Sequence, residues 1–196
     1  MKNFNLLIIL LSCQLMAAQQ QPGDIDTTFK MATFNGIMSF NTILDIVQKT
    51  DGKILAGTTE TTKFPSVDYS IGMVSFNSDG SEDTNFKAPD EIVNVRKIIL
   101  QPDGKIIIIG NLGKTSIARL NSDGSFDSSF NAQVNTDQFF AVQTAVLQSD
   151  GKIVIAGNFD TVNGIPRNKL ARINTDGSLD EGFNASNGLP EDNYNE

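Results

Sequence analysis

Histidine and tryptophan are absent from this 196-residue sequence, and cysteine occurs once, at Cys13. Without histidine, Ser-His-Asp and Cys-His catalysis and His-ligated zinc are excluded. A lone cysteine allows no intrachain disulfide, so the fold must rest on burial and ladder hydrogen bonds. Charge is scarce too: charged residues make up 19% of the chain against 39% hydrophobic, a balance that favours packing over disorder. The charge present leans acidic, with 23 Asp and Glu against 15 Lys and Arg and a net charge of −8. No basic cluster offsets it locally, so nucleic acid is not an expected partner.

Long apolar runs are also few. The one that stands out, FNLLIILL at 4–11, follows Lys2 and precedes Ala17-Ala18 and a Gln-rich stretch. It is too short to span a bilayer and has the flanks of a secretory signal peptide. The expected organisation is a signal peptide at 1–18, a linker at 19–22 and a mature chain that is secreted or on the cell surface. Leu10-Leu11-Ser12-Cys13 also looks like a lipobox, with Leu11 a poor fit, which would make Cys13 the acylated first residue of a lipoprotein. A buried N-terminal strand is the third reading. No other segment has the length of a membrane span.

What the chain does have is an internal repeat. Asp-Gly-Lys-Ile recurs at 51–54, 103–106 and 150–153. Asn-x-Asp-Gly-Ser-x-Asp-x-x-Phe recurs at 77–86, 121–130 and 174–183, with a headless copy, GDIDTTF, at 23–29. The closing residues Phe29, Phe86, Phe130 and Phe183 lie about fifty residues apart, so each unit holds one DGK and one DGS motif.

Both motifs read as tight hairpins. In QPDGKI, Pro102 sets the first turn dihedral and Gly104 takes the left-handed position of a three-residue loop. The same chemistry is expected at Asp51-Gly52, Asp79-Gly80, Asp123-Gly124, Asp150-Gly151 and Asp176-Gly177. β-branched runs of strand length flank the turns. If Asn121 faces Ser125, Leu120 faces Phe126 and Arg119 faces Asp127. The third repeat places Ile173 opposite Leu179 and Arg172 opposite Asp180. The first places Ser75 opposite Asp83 and Phe76 opposite Glu82. The arginines are thereby expected to be structural ladder partners, with a ligand-facing role as the alternative.

Two hairpins in series give four strands per repeat, the anatomy of a propeller blade. The units DGKIIIIGN…IARLNSDGSFDSSFN and DGKIVIAGNFDTVNGIPRNKLARINTDGSLDEGFN resemble the delta-60 repeat. That family is a bacterial domain of unknown function assigned to the β-propeller class and typically found in exported proteins. The resemblance covers nearly everything from Gly23 onward and is weakest in the first copy, where Thr58-Thr59-Glu60 replaces Gly-Asn-Phe or Gly-Asn-Leu. It implies a fold and carries no catalytic residues.

The expected architecture is therefore all-β: a β-propeller-type array of three four-stranded blades, at about 30–86, 87–130 and 131–183, plus one orphan N-terminal strand at 23–29. Residues 184–196 read as a next repeat or a tail. Closed propellers typically have four to eight blades, so the array reads as incomplete. Part of a longer array, an open arc and a 3+3 homodimer are the alternatives.

The spacing Asn-x-Asp-x-Ser-x-Asp suggests a calcium loop, but glycine falls at the fourth position and no glutamate stands at the twelfth, so the turn accounts for these residues. No nucleophile-base pair or phosphate loop is present. No catalytic, cofactor-binding or metal residue is expected, and no cofactor. The uniform DGK and DGS turns share one end of the blades. The variable connections at the other end are where recognition is expected. Phe34, Phe40, Phe139 and Phe140 lie in those connections, together with Met38, and either plug gaps between blades or form a ligand face. The function expected is a non-catalytic extracellular binding or adhesion scaffold for an unidentified protein or glycan. The alternatives are the propeller portion of a larger exported hydrolase or lyase, or a glycan-binding module.

Overall fold

The computed structural model describes residues 42–62, 71–113, 115–135 and 141–183. The expected signal peptide, linker, opening strand and tail lie outside them. Among the described residues there is no helix. The strands, in chain order, are β1 (Ile43–Gln48), β2 (Ile54–Thr62), β3 (Ile71–Phe76), β4 (Asn94–Leu100), β5 (Ile106–Asn111) and β6 (Ile117–Leu120). They continue as β7 (Val134–Asn135), β8 (Val142–Leu147), β9 (Ile153–Gly157), β10 (Thr161–Val162), β11 (Ile165–Pro166) and β12 (Leu170–Ile173).

Three antiparallel sheets follow the repeats: β1-β2-β3 (blade one), β4-β5-β6 (blade two) and β8-β9-β12 (blade three). Among the described residues no sheet closes on itself, and the architecture is that of a partial β-propeller. The first strands of successive blades lie side by side. Asp45 on β1 reaches across to accept a hydrogen bond from the Ile98 amide at 2.8 Å and an ion pair from Lys97 at 3.5 Å.

The blades stack face to face, which explains the most apolar strand among the described residues. Ile106, Ile107, Ile108 and Ile109 on β5 are all fully buried. Alternation along a strand sends neighbours to opposite faces. Ile106 and Ile108 join Leu55 and Met73 of blade one, while Ile107 and Ile109 join Ile153 and Ile155 of blade three. A continuous apolar run is what a strand covered on both faces requires.

The hairpin loops hold three residues each. At the first motif of blade two, the Gln101 amide donates to the Lys105 carbonyl at 2.9 Å and the Gly104 amide to the Gln101 carbonyl at 3.0 Å. At the second, the Asn121 amide donates to the Ser125 carbonyl at 2.8 Å. Gly52, Gly80, Gly104, Gly124, Gly151 and Gly177 all have φ between 81° and 94°, the left-handed region in which glycine is unstrained.

Two features differ from the expected blade. The fourth strand is reduced to one bridge per blade: Phe76 with Glu82, Leu120 with Phe126 and Ile173 with Leu179. The cause is local. One residue further on, the Asp127 carboxylate accepts the Ser129 amide at 3.0 Å and the Phe130 amide bonds the Asp127 carbonyl at 3.1 Å. The chain turns away before a ladder can extend. Secondly, each first strand carries a β-bulge at the same place, which skips Leu44, Arg96 and Gln143.

The bulges of blades two and three require glycine on the facing strand. A Cβ on Gly110 would lie 1.8 Å from the Asn94 carbonyl oxygen, and one on Gly157 would lie 2.0 Å from that of Ala141. A Cβ on Gly104 would meet nothing within 4 Å. Gly110→Ala should therefore destabilise by more than about 3 kcal/mol or prevent folding, whereas Gly104→Ala should cost about 1 kcal/mol through φ alone. Urea titrations of the two variants test this, and equal losses would contradict the close approach.

Candidate functional site

The six turns close on themselves. Asp51, Asp103 and Asp150 each accept the amide of the lysine two residues on, at 3.0 to 3.1 Å. Asp79, Asp123 and Asp176 accept both the amide and the hydroxyl of Ser81, Ser125 and Ser178. The serine hydroxyl and amide hold Asp123 and Asp176 below the usual carboxylate range. The oxygens spaced like a calcium loop are thus engaged by their own turn. Among the described residues no three His, Cys, Asp or Glu side chains converge as a metal site would need.

Beneath the turns the two motifs meet. Lys53 reaches Asp83 at 2.8 Å, Lys105 reaches Asp127 at 2.7 Å and Lys152 reaches Asp180 at 2.8 Å. The lysine of each DGK motif is therefore the ion partner of the last aspartate of the DGS motif in the same blade. Sequence reasoning missed this pairing, although its signal, a Lys and an Asp at fixed places in all three repeats, was present. Arg119 and Arg172 bind the same carboxylates through Nε at 2.6 and 2.8 Å. They lie over the rings of Phe130 and Phe183 at 4.9 and 4.7 Å. In blade one Ser75 takes the arginine's place and donates to Asp83 at 3.1 Å.

These contacts set the carboxylates' acidity. The Lys105 ammonium, against the opposing effect of burial and with help from Ser129 and Arg119, holds Asp127 well below the usual range. Lys152, with Arg172 adding, brings Asp180 down to about 2. Burial pushes Asp83 upward, but Lys53 and Ser75 outweigh it and its pKa falls. Asp83 in turn raises Lys53.

Blade two's arginine also ties two blades together. Arg119 Nη1 donates to the Thr175 carbonyl in the turn of blade three at 2.6 Å, and Nη2 donates to Ser129 at 3.1 Å. The segment leaving each blade docks on the next turn: the Lys87 amide bonds the Asp123 carbonyl, and the Asn131 amide bonds that of Asp176, both at 2.9 Å. A cavity of about 440 Å³ opens beside blade two, lined by Thr115, Phe126, Ser128, Asn131 and Gln133, with Arg119 and Asp127 in its wall. Both of its charged groups are already paired, so it holds no poised acid, base or nucleophile.

At the opposite end the connections diverge. Blade two joins β5 to β6 by a short link through Leu112 and Gly113, whereas blade three inserts the hairpin β10-β11, which pairs with β7 into a small sheet. The connection at 158–169 is thus partly core: Phe159 and Val162 are fully buried. Asn163 and Gly164 turn the hairpin with φ of 52° and 77°, and Asn-Gly is the strongest short hairpin signal. Asn163 also accepts the Gln133 amide at 2.7 Å and donates to the Gly177 carbonyl at 3.0 Å. Asp160, Gly164, Pro166 and Asn168 remain exposed. Phe34, Met38, Phe40, Phe139 and Phe140 lie outside the described residues.

Residues 101–130 and 148–183 match a family model described as a domain of unknown function (DUF5122) beta-propeller. These stretches run from the DGK turn to the closing phenylalanine of repeats two and three, and they support a β-propeller repeat family. Neither the curated proteins nor the solved structures yield a match to the chain.

Arg119→Ala leaves the buried Asp127 with one cation and removes the bond to blade three. A loss of about 3 kcal/mol is expected in chemical denaturation. Arg172→Ala, at a half-buried site with no blade beyond it among the described residues, should give a clearly smaller loss. Equal losses would remove the inter-blade role.

Acid should act through the same junction. A carboxylate whose folded pKa lies below its unfolded value binds fewer protons when folded, so stability falls as pH falls. For Asp180 the contribution is complete above the ordinary value of about 4 and is lost as pH drops through about 2. Thermal melts from about pH 5 to about pH 2 should show a declining Tm, with a shallower slope in Asp180→Asn.

Proposed function

We propose that the chain is an exported, non-catalytic binding scaffold built from repeats of the delta-60 kind, with recognition at the end of the blades that carries the variable connections. The observation that carries this reading is the contrast between the two ends. At the turn end, three blades repeat the same contacts, and the turn carboxylates are engaged by their own loops. At the loop end, blade three builds a hairpin on a buried base and holds Asp160, Pro166 and Asn168 exposed on it. A rigid base carrying variable, exposed side chains is how repeat scaffolds present a binding surface. The signal-peptide pattern at 1–18 supports export, with an acylated Cys13 as the lipoprotein form.

Labelled protein screened on arrays of surface glycans and extracellular proteins tests the reading. A ligand found this way should be lost on combined Asp160→Ala, Arg167→Ala and Asn168→Ala substitution and kept by Ser122→Lys at the turn end. The reverse pattern would place recognition at the turns and overturn the proposal.

A further inference from the structure

Asn163 carries a reactive group that neither the ion junctions nor the proposed surface uses. Asparagine precedes glycine at 35, 163 and 187, and of these pairs only Asn163-Gly164 lies among the described residues. An asparagine followed by glycine can modify itself. The next backbone nitrogen attacks Cγ and loses its proton, the Cγ–Nδ2 bond breaks, ammonia leaves and a succinimide ring forms. Water then opens the ring to aspartate or isoaspartate. No other reactant is needed, and glycine has no side chain to obstruct the approach.

The fold both permits and restrains this reaction. Gly164 is exposed, and a Cβ there would meet nothing within 4 Å, so solvent reaches the peptide bond. The restraint lies in the half-buried side chain of Asn163. Its Oδ1 accepts the Gln133 amide at 2.7 Å, and its Nδ2 donates to the Gly177 carbonyl at 3.0 Å. The carboxamide is thereby stapled between the segment leading from blade two and the second turn of blade three. The Gln133 bond polarises the side-chain carbonyl, but it also fixes the plane of the group. The Nδ2 bond sets the leaving nitrogen against an acceptor, where no proton is available to it. While both bonds stand, the carboxamide cannot rotate onto the Gly164 nitrogen.

We propose that Asn163 is a site of spontaneous deamidation, gated by opening of the β10-β11 hairpin, and that the product cannot rebuild the staple. As aspartate, residue 163 keeps an oxygen for the Gln133 amide. Its second oxygen, now charged, faces the Gly177 carbonyl that Nδ2 once served, so two acceptors meet where a donor is required. Isoaspartate adds a backbone atom to a hairpin whose strands are two residues each. Either product loosens the hairpin next to Asp160 and Asn168. The modification therefore bears on the proposed recognition surface, while the site itself does not rest on that reading.

Peptide mapping by mass spectrometry of the full chain, held in mildly alkaline buffer with and without denaturant, tests this. Cleavage after Lys152 and Arg167 gives one peptide that also contains Asn158, followed by Phe159, as an internal reference. Asn163 should convert in denaturant and at least about tenfold more slowly in the native chain, because only the open fraction reacts. Val162→Ala, which trims the buried base of the hairpin, should raise the native rate with circular dichroism unchanged. Should that variant unfold, the wild-type rate in rising urea reads the same gate, and it should climb before the global transition. Equal rates in native and denatured chain overturn the gate, and a rate that climbs only with global unfolding overturns the hairpin as its seat. A folded Val162→Ala with an unaltered rate does the same. No conversion of Asn163 in denaturant overturns the site. Asn163→Asp should lower Tm and admit protease cleavage between Asp160 and Arg167; an unchanged melt and digestion pattern would overturn the loss of the staple.

Discussion

At Asp127 a single carboxylate receives the lysine of one hairpin, the arginine of the facing strand and the serine that turns the chain away. Withdrawing that charge from water is tolerable only while its partners stay in place. The lysine arrives only if the three-residue loop at Asp103-Gly104 folds correctly, and the arginine only if Leu120 bridges Phe126. The junction therefore fixes loop type, register and the end of the blade together. Blade one keeps the Lys53–Asp83 half of it and replaces the arginine with Ser75, which shows that the lysine is the common element. The arginine is what extends the junction into the next blade.

A second constraint follows from stacking. A sheet packed on both sides cannot leave a polar row on either face, so β5 carries four isoleucines in succession and the Arg119–Asp127 pair is itself buried. The sequence pattern suggested one apolar and one polar face. In the folded array the polar row is enclosed as well, because the next blade lies against it. Each blade thereby depends on its neighbours for burial, as repeat arrays do.

The loops and registers were legible in the sequence because they rest on local chemistry. Glycine at a left-handed position fixes the loop length, and period-two alternation then fixes which residues face each other. Four features were not read. The fourth strand is lost to a turn centred on Asp127, and its signal is a side chain capturing an amide two residues away, which periodicity does not register. The bulges at Leu44, Arg96 and Gln143 depend on how closely a neighbouring backbone approaches, a tertiary property whose one trace is glycine at 110 and 157. The hairpin at 161–166 did carry a readable signal, Asn163-Gly164, but its strands are two residues long and show no periodicity. The Lys–Asp junction spans 22 to 30 residues, beyond any window that compares neighbours. It emerges only when the three repeats are laid over one another.

The same chemistry bears on where a ligand can be held. A partner approaching the turn end would meet carboxylates that each accept their loop's amide through Oδ1, with a serine hydroxyl added in the DGS turns, so changing these side chains loosens the loops themselves. The loop end is built differently. The hairpin of blade three is secured through its backbone, by two buried side chains, Phe159 and Val162, and by Asn163. Its outward side chains carry none of that structural duty. They can change without loss of the blade beneath them, which is the condition a binding surface needs and the turn end lacks.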